Sequence, residues 1–294
     1  MYKIISDGGC DFTNEEIKTY NVDVVPFYVS FEEEFLKVGI DITTEDFFKR
    51  LSTDKKTFPK TSQPNPQDYI DVFKKALEAG QDILALTVSS KLSGSYNSAA
   101  IAADLLKEEF PDREIIVIDT LSGSIAQGLI LREVIKMRDA GLTLGKTARL
   151  TRRVLKTTQI YFTLDTVEYL KRGGRIGPTT ALVGGMLGLR PILHLLDGEV
   201  KQLDNVRGKK SAFRLMEAGI VEALLDAKDR ITFAVGHILS EKDALHFKGN
   251  IETSLGVSTD NPVTEVGAVI GAHAGPGAIA FAYCSNYETL EGEM

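Results

Sequence analysis

The sequence predicts an α/β protein built from two parts. In the first half, short apolar runs rich in β-branched residues alternate with longer amphipathic stretches, which is typical of parallel strands connected by helices on both faces of a sheet. In the second half, apolar runs follow one another with few helices between them, which indicates a mixed sheet. We therefore expect residues 1–157 to form an α/β/α domain and residues 158–294 to form a second α/β domain.

In the first half, the predicted strands lie at residues 3–6, 24–30, 83–88 and 115–118. The predicted helices lie at residues 67–78, 98–109 and 125–140. Asn65 and Pro66 supply an N-cap and a first-turn proline for the helix at 67–78. This alternation places helices against both faces of the first sheet.

In the second half, strands are predicted at residues 160–164, 192–196, 200–206, 231–238 and 278–284. Asp197, Gly198 and Glu199 form a short turn that joins two of these runs as a hairpin. The apolar stretch 266–286 has no charge but contains His273, Pro276 and several glycines. Two buried strands joined by a turn fit this composition better than a membrane span does.

Composition and charge exclude several classes of function. The chain has 34 basic and 41 acidic residues, a net charge of −7, and no segment that concentrates lysine and arginine, so it does not read as a nucleic-acid-binding protein. Asp7 interrupts the first apolar run, so we expect no export signal. Cys10 and Cys284 have no metal-binding spacing, which is typical of reduced cysteines in a cytoplasmic protein without a metal site.

A Ser-Gly-Ser sequence occurs twice, at residues 93–95 and 122–124, each time after a predicted strand and before a helix. Ligands of open parallel sheets bind at the carboxyl ends of strands, where helix N-termini present free N–H groups. Glycine lets the backbone approach a ligand closely, and serine adds a short hydroxyl donor, so an anion such as a carboxylate suits this arrangement. Alternatively, these serines only cap their helices.

Three further segments are candidate sites, each with a structural alternative. Residues 61–66 form a polar loop fixed by two prolines, which is either a ligand loop or a helix-entry turn. His273 precedes a glycine-rich turn and is either a ligand or a core histidine. Residues 171–175 form a basic turn, which meets either solvent or an anionic partner.

Four motifs in a fixed order give the sequence a resemblance to the DegV family of bacterial fatty-acid-binding proteins. They are KTSQP at 60–64, SSKLSGSY at 89–96, YLKRGGRI at 169–176 and IGAHAGPG at 270–277. The resemblance implies a DegV-like two-domain fold, with an N-terminal three-layer α/β/α domain that has a parallel sheet and a C-terminal two-layer α/β domain that has a mixed sheet. It places the fatty acid at the domain interface and in the C-terminal domain.

The resemblance also implies roles for individual residues. Thr61, Ser93 and His273 match the family's carboxylate ligands, while Arg175 and Arg207 match basic positions associated with kinase docking or phosphate. The neighbouring residues Ser62, Gly94 and Ser124 are additional candidate ligands or supports for the ligands. The chain departs from the family at residues 8–10, which read Gly-Gly-Cys, and at Ala274, so each place lacks a hydroxyl that the family pattern has.

By resemblance, the protein binds a long-chain fatty acid and has neither catalysis nor a cofactor of its own. It presents the carboxylate to a separate dihydroxyacetone-kinase-like fatty acid kinase and carries the acyl phosphate towards an acyltransferase of phospholipid synthesis. Two other hypotheses stay open. One is a serine-dependent acyl hydrolase using Ser93 and His273, although no G-x-S-x-G motif is present, and the other is a sugar- or triose-binding module.

Overall fold

The computed structural model describes residues 2–31, 34–53, 58–176 and 189–292. Up to residue 157 its elements are β1 (Tyr2–Asp7), α1 (Asn14–Thr19), β2 (Val22–Val25), β3 (Tyr28–Phe31), β4 (Glu34–Lys37), α2 (Thr44–Thr53), β5 (Lys60–Ser62), α3 (Pro66–Glu78), β6 (Asp82–Thr87), α4 (Ser95–Glu109), β7 (Ile115–Asp119), α5 (Ser124–Asp139) and α6 (Leu144–Thr157). After it come β8 (Gln159–Thr163), α7 (Glu168–Gly173), β9 (Leu189–Leu196), β10 (Glu199–Arg207), α8 (Lys209–Leu224), β11 (Ile231–His237), α9 (Glu241–Leu255), β12 (Thr264–Glu265), α10 (Ala268–Ala274), β13 (Ile279–Ser285) and α11 (Tyr287–Glu291).

The first sheet is parallel and has the strand order β2-β1-β6-β7 among the described residues. Successive side chains of each strand point to opposite faces of the sheet. Ile5 and Ile83 pack on one face with Tyr69 and Phe73 of α3 and with residues of α4, while Ile4 packs on the other face with residues of α5. The predicted three-layer α/β/α arrangement is confirmed.

The second sheet has the order β10-β9-β8-β13-β11-β12 and is antiparallel except for the β11–β12 pair, so the predicted mixed sheet is also confirmed. Helices α8 and α9 cover one face, where Phe233 and Phe281 stack with ring centroids 5.4 Å apart and pack with Phe213 and Phe247. The opposite face is turned towards α5 and α10. This second face forms one wall of the cavity described below.

The predicted β9–β10 hairpin is confirmed, and its tip reaches the loop that follows β6. Asp197 and Gly198 have φ angles of 52° and 80°, the left-handed conformation that a two-residue hairpin turn needs. The hydroxyl of Ser89 donates a hydrogen bond of 2.8 Å to the carbonyl oxygen of Gly198. A side chain at residue 198 would overlap Ser89, so this contact also requires glycine.

One strand prediction in the first half was wrong. The run 24–30 divides into β2 and β3, which belong to different sheets, because Pro26 has no N–H for a ladder and a fixed φ. β3 is the centre of a small antiparallel sheet with the order β4-β3-β5. As a result, Thr61, which the sequence placed in a loop, lies on strand β5 and pairs with Val29.

The prediction of two strands in the stretch 266–286 was also wrong in its first part, which forms α10. Ala268 and Ala272 are both buried and four residues apart, a helical spacing that a uniformly apolar run conceals. A Cβ atom on Gly271 would lie 2.6 Å from the Phe48 ring, so α10 packs against α2 with no room for a side chain there. Gly275, at a φ of 74°, ends the helix.

A domain boundary near residue 157 stays a prediction. Helix α6 ends at Thr157, but one hydrophobic cluster contains Leu129 and Val154 from before it and Ile160 and Ala282 from after it. In the part of the chain that the structure describes, no helix has both the length and the apolar composition to cross a membrane.

The helix that follows the Thr61 strand is fixed by its N-cap. The Asn65 side chain accepts a hydrogen bond from the Asp68 N–H, and the Asp68 side chain accepts one from the Asn65 N–H. We expect Asn65→Ala to lower the free energy of unfolding by about 1 kcal/mol in urea denaturation. Gln67→Ala, which removes an exposed side chain in the same helical turn, is the control. Equal losses in the two variants would contradict a specific role for the cap.

Candidate site at a cavity between the two sheets

A cavity lies between the loops at the carboxyl end of the first sheet, helix α10 and the inner face of the second sheet. Its empty volume is about 970 Å³, including the space at its mouth. Most of the lining is apolar, and the polar side chains that line it are Thr61, Gln63, Ser93, Ser124, Arg175, His237 and His273. An apolar cavity with a few convergent polar groups is the usual form of a small-molecule site.

Thr61 and His273 are brought together from positions far apart in the sequence. Thr61 lies on β5 and His273 in the last turn of α10, and their Oγ1 and Nε2 atoms are 2.7 Å apart, a short hydrogen bond. Helix α10 packs against α2 and β3, and this packing positions the imidazole of His273 beside Thr61. Both side chains line the cavity.

His273 is neutral near pH 7. Burial lowers its pKa to about 4, and the nearby guanidinium of Arg175 contributes to the same shift. Its Nδ1 atom is enclosed and has no hydrogen-bond partner among the described residues. Gly173 lies so close to the ring that a Cβ atom there would overlap Nδ1. A protonated His273 is therefore not the resting state of the site.

Ser93 lines the cavity from the loop before α4. Its Oγ accepts a hydrogen bond of 3.3 Å from the N–H of Ser95, so Ser93 partly serves the helix N-terminus, as the capping alternative proposed. The N–H of Gly94 donates to Oε1 of Gln63 over 2.7 Å. Gln63 lines the cavity and was not singled out from the sequence, although it lies within the KTSQP motif.

The two arginines associated with docking lie in different surroundings. Arg175 is half-buried and lines the cavity, and its guanidinium donates to the carbonyl oxygens of Leu92 and Gly173 over 3.0 and 2.6 Å. Arg207 is exposed at the end of β10 and does not line the cavity. The structure therefore places Arg175 at the cavity and Arg207 at the surface.

Of the additional candidates, Ser124 lines the cavity, whereas Ser62 and Gly94 do not. The hydroxyl of Ser124 donates to Asp11 over 2.6 Å, and Asp11 also accepts the N–H of Gly267 at the start of α10. Burial raises the pKa of the Asp11 carboxyl to about 7. Asp11 thus connects the first loop of the chain to the helix that carries His273.

The first loop reaches the cavity through Gly9 alone among residues 8–10. A Cβ atom at residue 9 would lie 3.0 Å from both Val88 Cβ and Gln127 Oε1. The loop therefore approaches its neighbours closely, and its residue at the cavity is a glycine without a hydroxyl.

This arrangement suits the binding of an anion better than acyl hydrolysis. A serine hydrolase needs its serine bonded to a histidine whose other nitrogen is oriented by an acid. Within the described residues, His273 bonds to Thr61 instead of Ser93, and its Nδ1 has no acid partner. No group of metal-ligating side chains occurs among those residues either. What remains is a set of neutral donors beside one guanidinium.

The comparisons with known proteins agree on one family. Residues 1–286 match the family model described as an uncharacterised protein of the DegV family. A stearic acid-binding protein from Eubacterium ventriosum is similar in structure, with 32% identity, a TM-score of 0.93 and coverage of 98% of this chain and 100% of that chain. A fatty acid-binding DegV family protein from Thermus thermophilus has 31% identity, a TM-score of 0.87 and coverage of 97% and 99%. A DegV domain-containing protein of Clostridium perfringens is 33% identical, with 96% of this chain and 98% of the relative covered.

The close approach of Gly173 to His273 gives a test of the site geometry. We expect Gly173→Ala to displace the imidazole, break its hydrogen bond to Thr61 and raise the pKa of His273 from about 4 towards the ordinary value of 6.5. Titration of the histidine resonances by NMR measures this change. Gly219→Ala, in a helix where the added methyl meets nothing, is the control. A His273 pKa that is the same in both variants would show that the glycine does not position the ring.

Proposed function

The chain belongs to the DegV family, and we propose that it binds a long-chain fatty acid in the cavity between its two sheets. The observation that carries this proposal is the cavity itself, which is apolar along most of its wall and gathers Thr61, Ser93, Arg175 and His273. A linear apolar molecule with one anionic end matches a cavity that has a mostly apolar wall and a small group of polar side chains. Fatty acid binding by the similar proteins from Eubacterium ventriosum and Thermus thermophilus supports the same class of ligand.

The acyl chain supplies most of the affinity in this proposal. Each buried methylene contributes about 0.8 kcal/mol, so a long chain needs little help from charged contacts. Leu195 and Val200 of the β9–β10 hairpin and Ile270 of α10 are among the apolar residues that line the cavity. Residues 180–196 are rich in Leu, Val, Met and Gly, a composition that would suit a tunnel wall, and of these, 180–188 lie outside the described residues.

The head group would meet neutral donors backed by one positive charge. When Nε2 of His273 carries the ring hydrogen, it donates to Thr61 and leaves the Thr61 hydroxyl free to donate to a carboxylate. Ser93 supplies a second hydroxyl from the opposite loop. The Arg175 guanidinium, which already lines the cavity, offsets the charge of the carboxylate.

We further propose that a partner protein phosphorylates the bound carboxylate. The carrier has no catalysis of its own in this proposal, and a dihydroxyacetone-kinase-like fatty acid kinase transfers the phosphoryl group. An acyltransferase of phospholipid synthesis then consumes the acyl phosphate. Arg175 would face the added phosphate, and exposed Arg207 would meet the kinase. The buried, unpaired cysteines Cys10 and Cys284 are consistent with a cytoplasmic setting for this exchange.

The first test asks whether a fatty acid is bound and whether Thr61 holds it. Mass spectrometry of an organic extract of the purified protein should find fatty acid in stoichiometric amount. Thr61→Val should weaken fatty acid binding by about threefold to tenfold, the cost of one neutral hydrogen bond. Thr253→Val, at an exposed position on α9, should leave the affinity unchanged.

An extract without lipid would contradict fatty acid binding and favour the sugar- or triose-binding alternative. Steady turnover of an activated acyl ester that is lost in Ser93→Ala would favour the hydrolase.

The second test concerns the kinase. Arg207→Ala should leave fatty acid affinity unchanged and slow acyl phosphate formation by the cognate kinase several-fold at low salt, because a charge at the rim of an interface acts mainly on the association rate. Lys242→Ala removes an exposed cation from α9 and controls for net charge. Equal kinase-coupled rates for Arg207→Ala and the parent would contradict the proposed docking role.

A further inference from the structure

Gln63 is a polar side chain of the cavity to which the proposed function gives no role. It directly follows β5, two residues after Thr61, and both side chains line the cavity, as expected for residues two apart in an extended segment. Gln63 is exposed to solvent, whereas Thr61 is half-buried. Gln63 therefore lies at the mouth of the cavity, beside the place proposed for the head group.

Gly94 fixes the direction in which the Gln63 amide points. The N–H of Gly94 donates to Oε1 over 2.7 Å, and a Cβ atom at residue 94 would overlap the amide, so the two groups are in direct contact. Because the N–H needs an acceptor, the amide oxygen faces Gly94, and the amide cannot turn over without losing this bond. The NH₂ group thus points away from the Gly94 N–H, and no hydrogen bond within the described residues uses it.

The other donors at the head group do not fill a carboxylate. An ionised carboxylate accepts about four hydrogen bonds, and the hydroxyls of Thr61 and Ser93 supply one hydrogen each. The guanidinium of Arg175 already donates to two backbone carbonyl oxygens. The Gln63 amide is held against the residue that follows Ser93, so its NH₂ group lies among the segments that carry the two hydroxyls.

We propose that the NH₂ group of Gln63 donates to the head group and that the cavity thereby prefers an ionised carboxylate to a neutral head group. This inference rests on the proposed fatty acid binding. A hydroxyl such as that of Thr61 both donates and accepts, so it serves an alcohol as well as a carboxylate. An amide whose oxygen is already used can only donate, and a donor bonds more strongly to a charged acceptor than to a neutral one.

A purely structural role is the competing explanation. The hydrogen bond from Gly94 to Gln63 joins the segment of Thr61 to the loop of Ser93. If this connection were the whole role of Gln63, any side chain with an oxygen in the same place would serve equally well. Glutamate has such an oxygen but lacks the NH₂ group, so Gln63→Glu separates the two explanations.

The experiment compares a saturated fatty acid with the straight-chain alcohol of the same length. In Gln63→Glu, the affinity for the acid should fall about fivefold at low ionic strength, because two negative charges then face each other close to solvent. The affinity for the alcohol should stay within about twofold of the parent value. Gln67→Glu, which adds the same charge at an exposed position on α3 outside the lining, should change neither affinity.

An acid affinity that is the same in Gln63→Glu and Gln67→Glu would overturn the proposal. Equal losses for the acid and the alcohol would also overturn it, because they indicate a displaced loop. A parent protein that binds no fatty acid would instead contradict the proposed function itself.

The side-chain NH₂ resonances of Gln63 give a second measurement, which needs no stable variant. When the parent protein is saturated with the fatty acid, these resonances should shift downfield by more than those of Gln67 and by more than they do with the alcohol. Shifts of the same size with both ligands would contradict a direct bond to the carboxylate.

Discussion

The structure depends on the buried carboxylate of Asp7 at the end of β1. A buried charge is tolerated only when its acceptor positions are filled, and Asp7 accepts from the N–H groups of Gly9 and Val88, the hydroxyl of Ser95 and the amide of Gln127. These partners come from the first loop, the end of β6, the start of α4 and α5. One side chain thereby fixes the relative positions of the loops that form the polar end of the cavity, and burial raises its pKa.

The sequence predicts the elements that local signals define. Strands β1, β6 and β7 are short β-branched runs, and α3 has an N-cap and a first-turn proline, so their positions follow from pattern alone. The division of the run 24–30 also has a local signal in Pro26, but helix α10 could not be predicted from the sequence pattern alone. A uniformly apolar run fits a buried strand and a buried helix equally well, and the choice at α10 was made by its packing on Phe48, which is far away in the sequence.

At the cavity, too, some features have a local sequence signal and others depend on tertiary contacts. Thr61, Ser93 and His273 were found because they lie in recognisable motifs, and the structure gathers them around one space. Two contacts at the cavity could not be predicted from the sequence. Gln63 lies in the polar loop 61–66 but was not singled out, and its amide oxygen accepts the Gly94 N–H. Arg175 was expected to meet a kinase or a phosphate, and its guanidinium also donates to the carbonyl oxygens of Leu92 and Gly173. Both depend on side-chain direction, which only tertiary contacts determine.

The tip of the β9–β10 hairpin has a consequence for the rates at which the cavity could take up and release a ligand. Leu195 and Val200 of this hairpin are cavity wall, while its tip is held on the other sheet by the hydrogen bond from Ser89 to Gly198. Any movement of this wall away from the first sheet would break that bond, so the bond adds to the barrier for opening the cavity on this side. Ser89 does not line the cavity, so its hydrogen bond would slow the entry and the exit of a ligand on this side by the same factor and leave the dissociation constant unchanged.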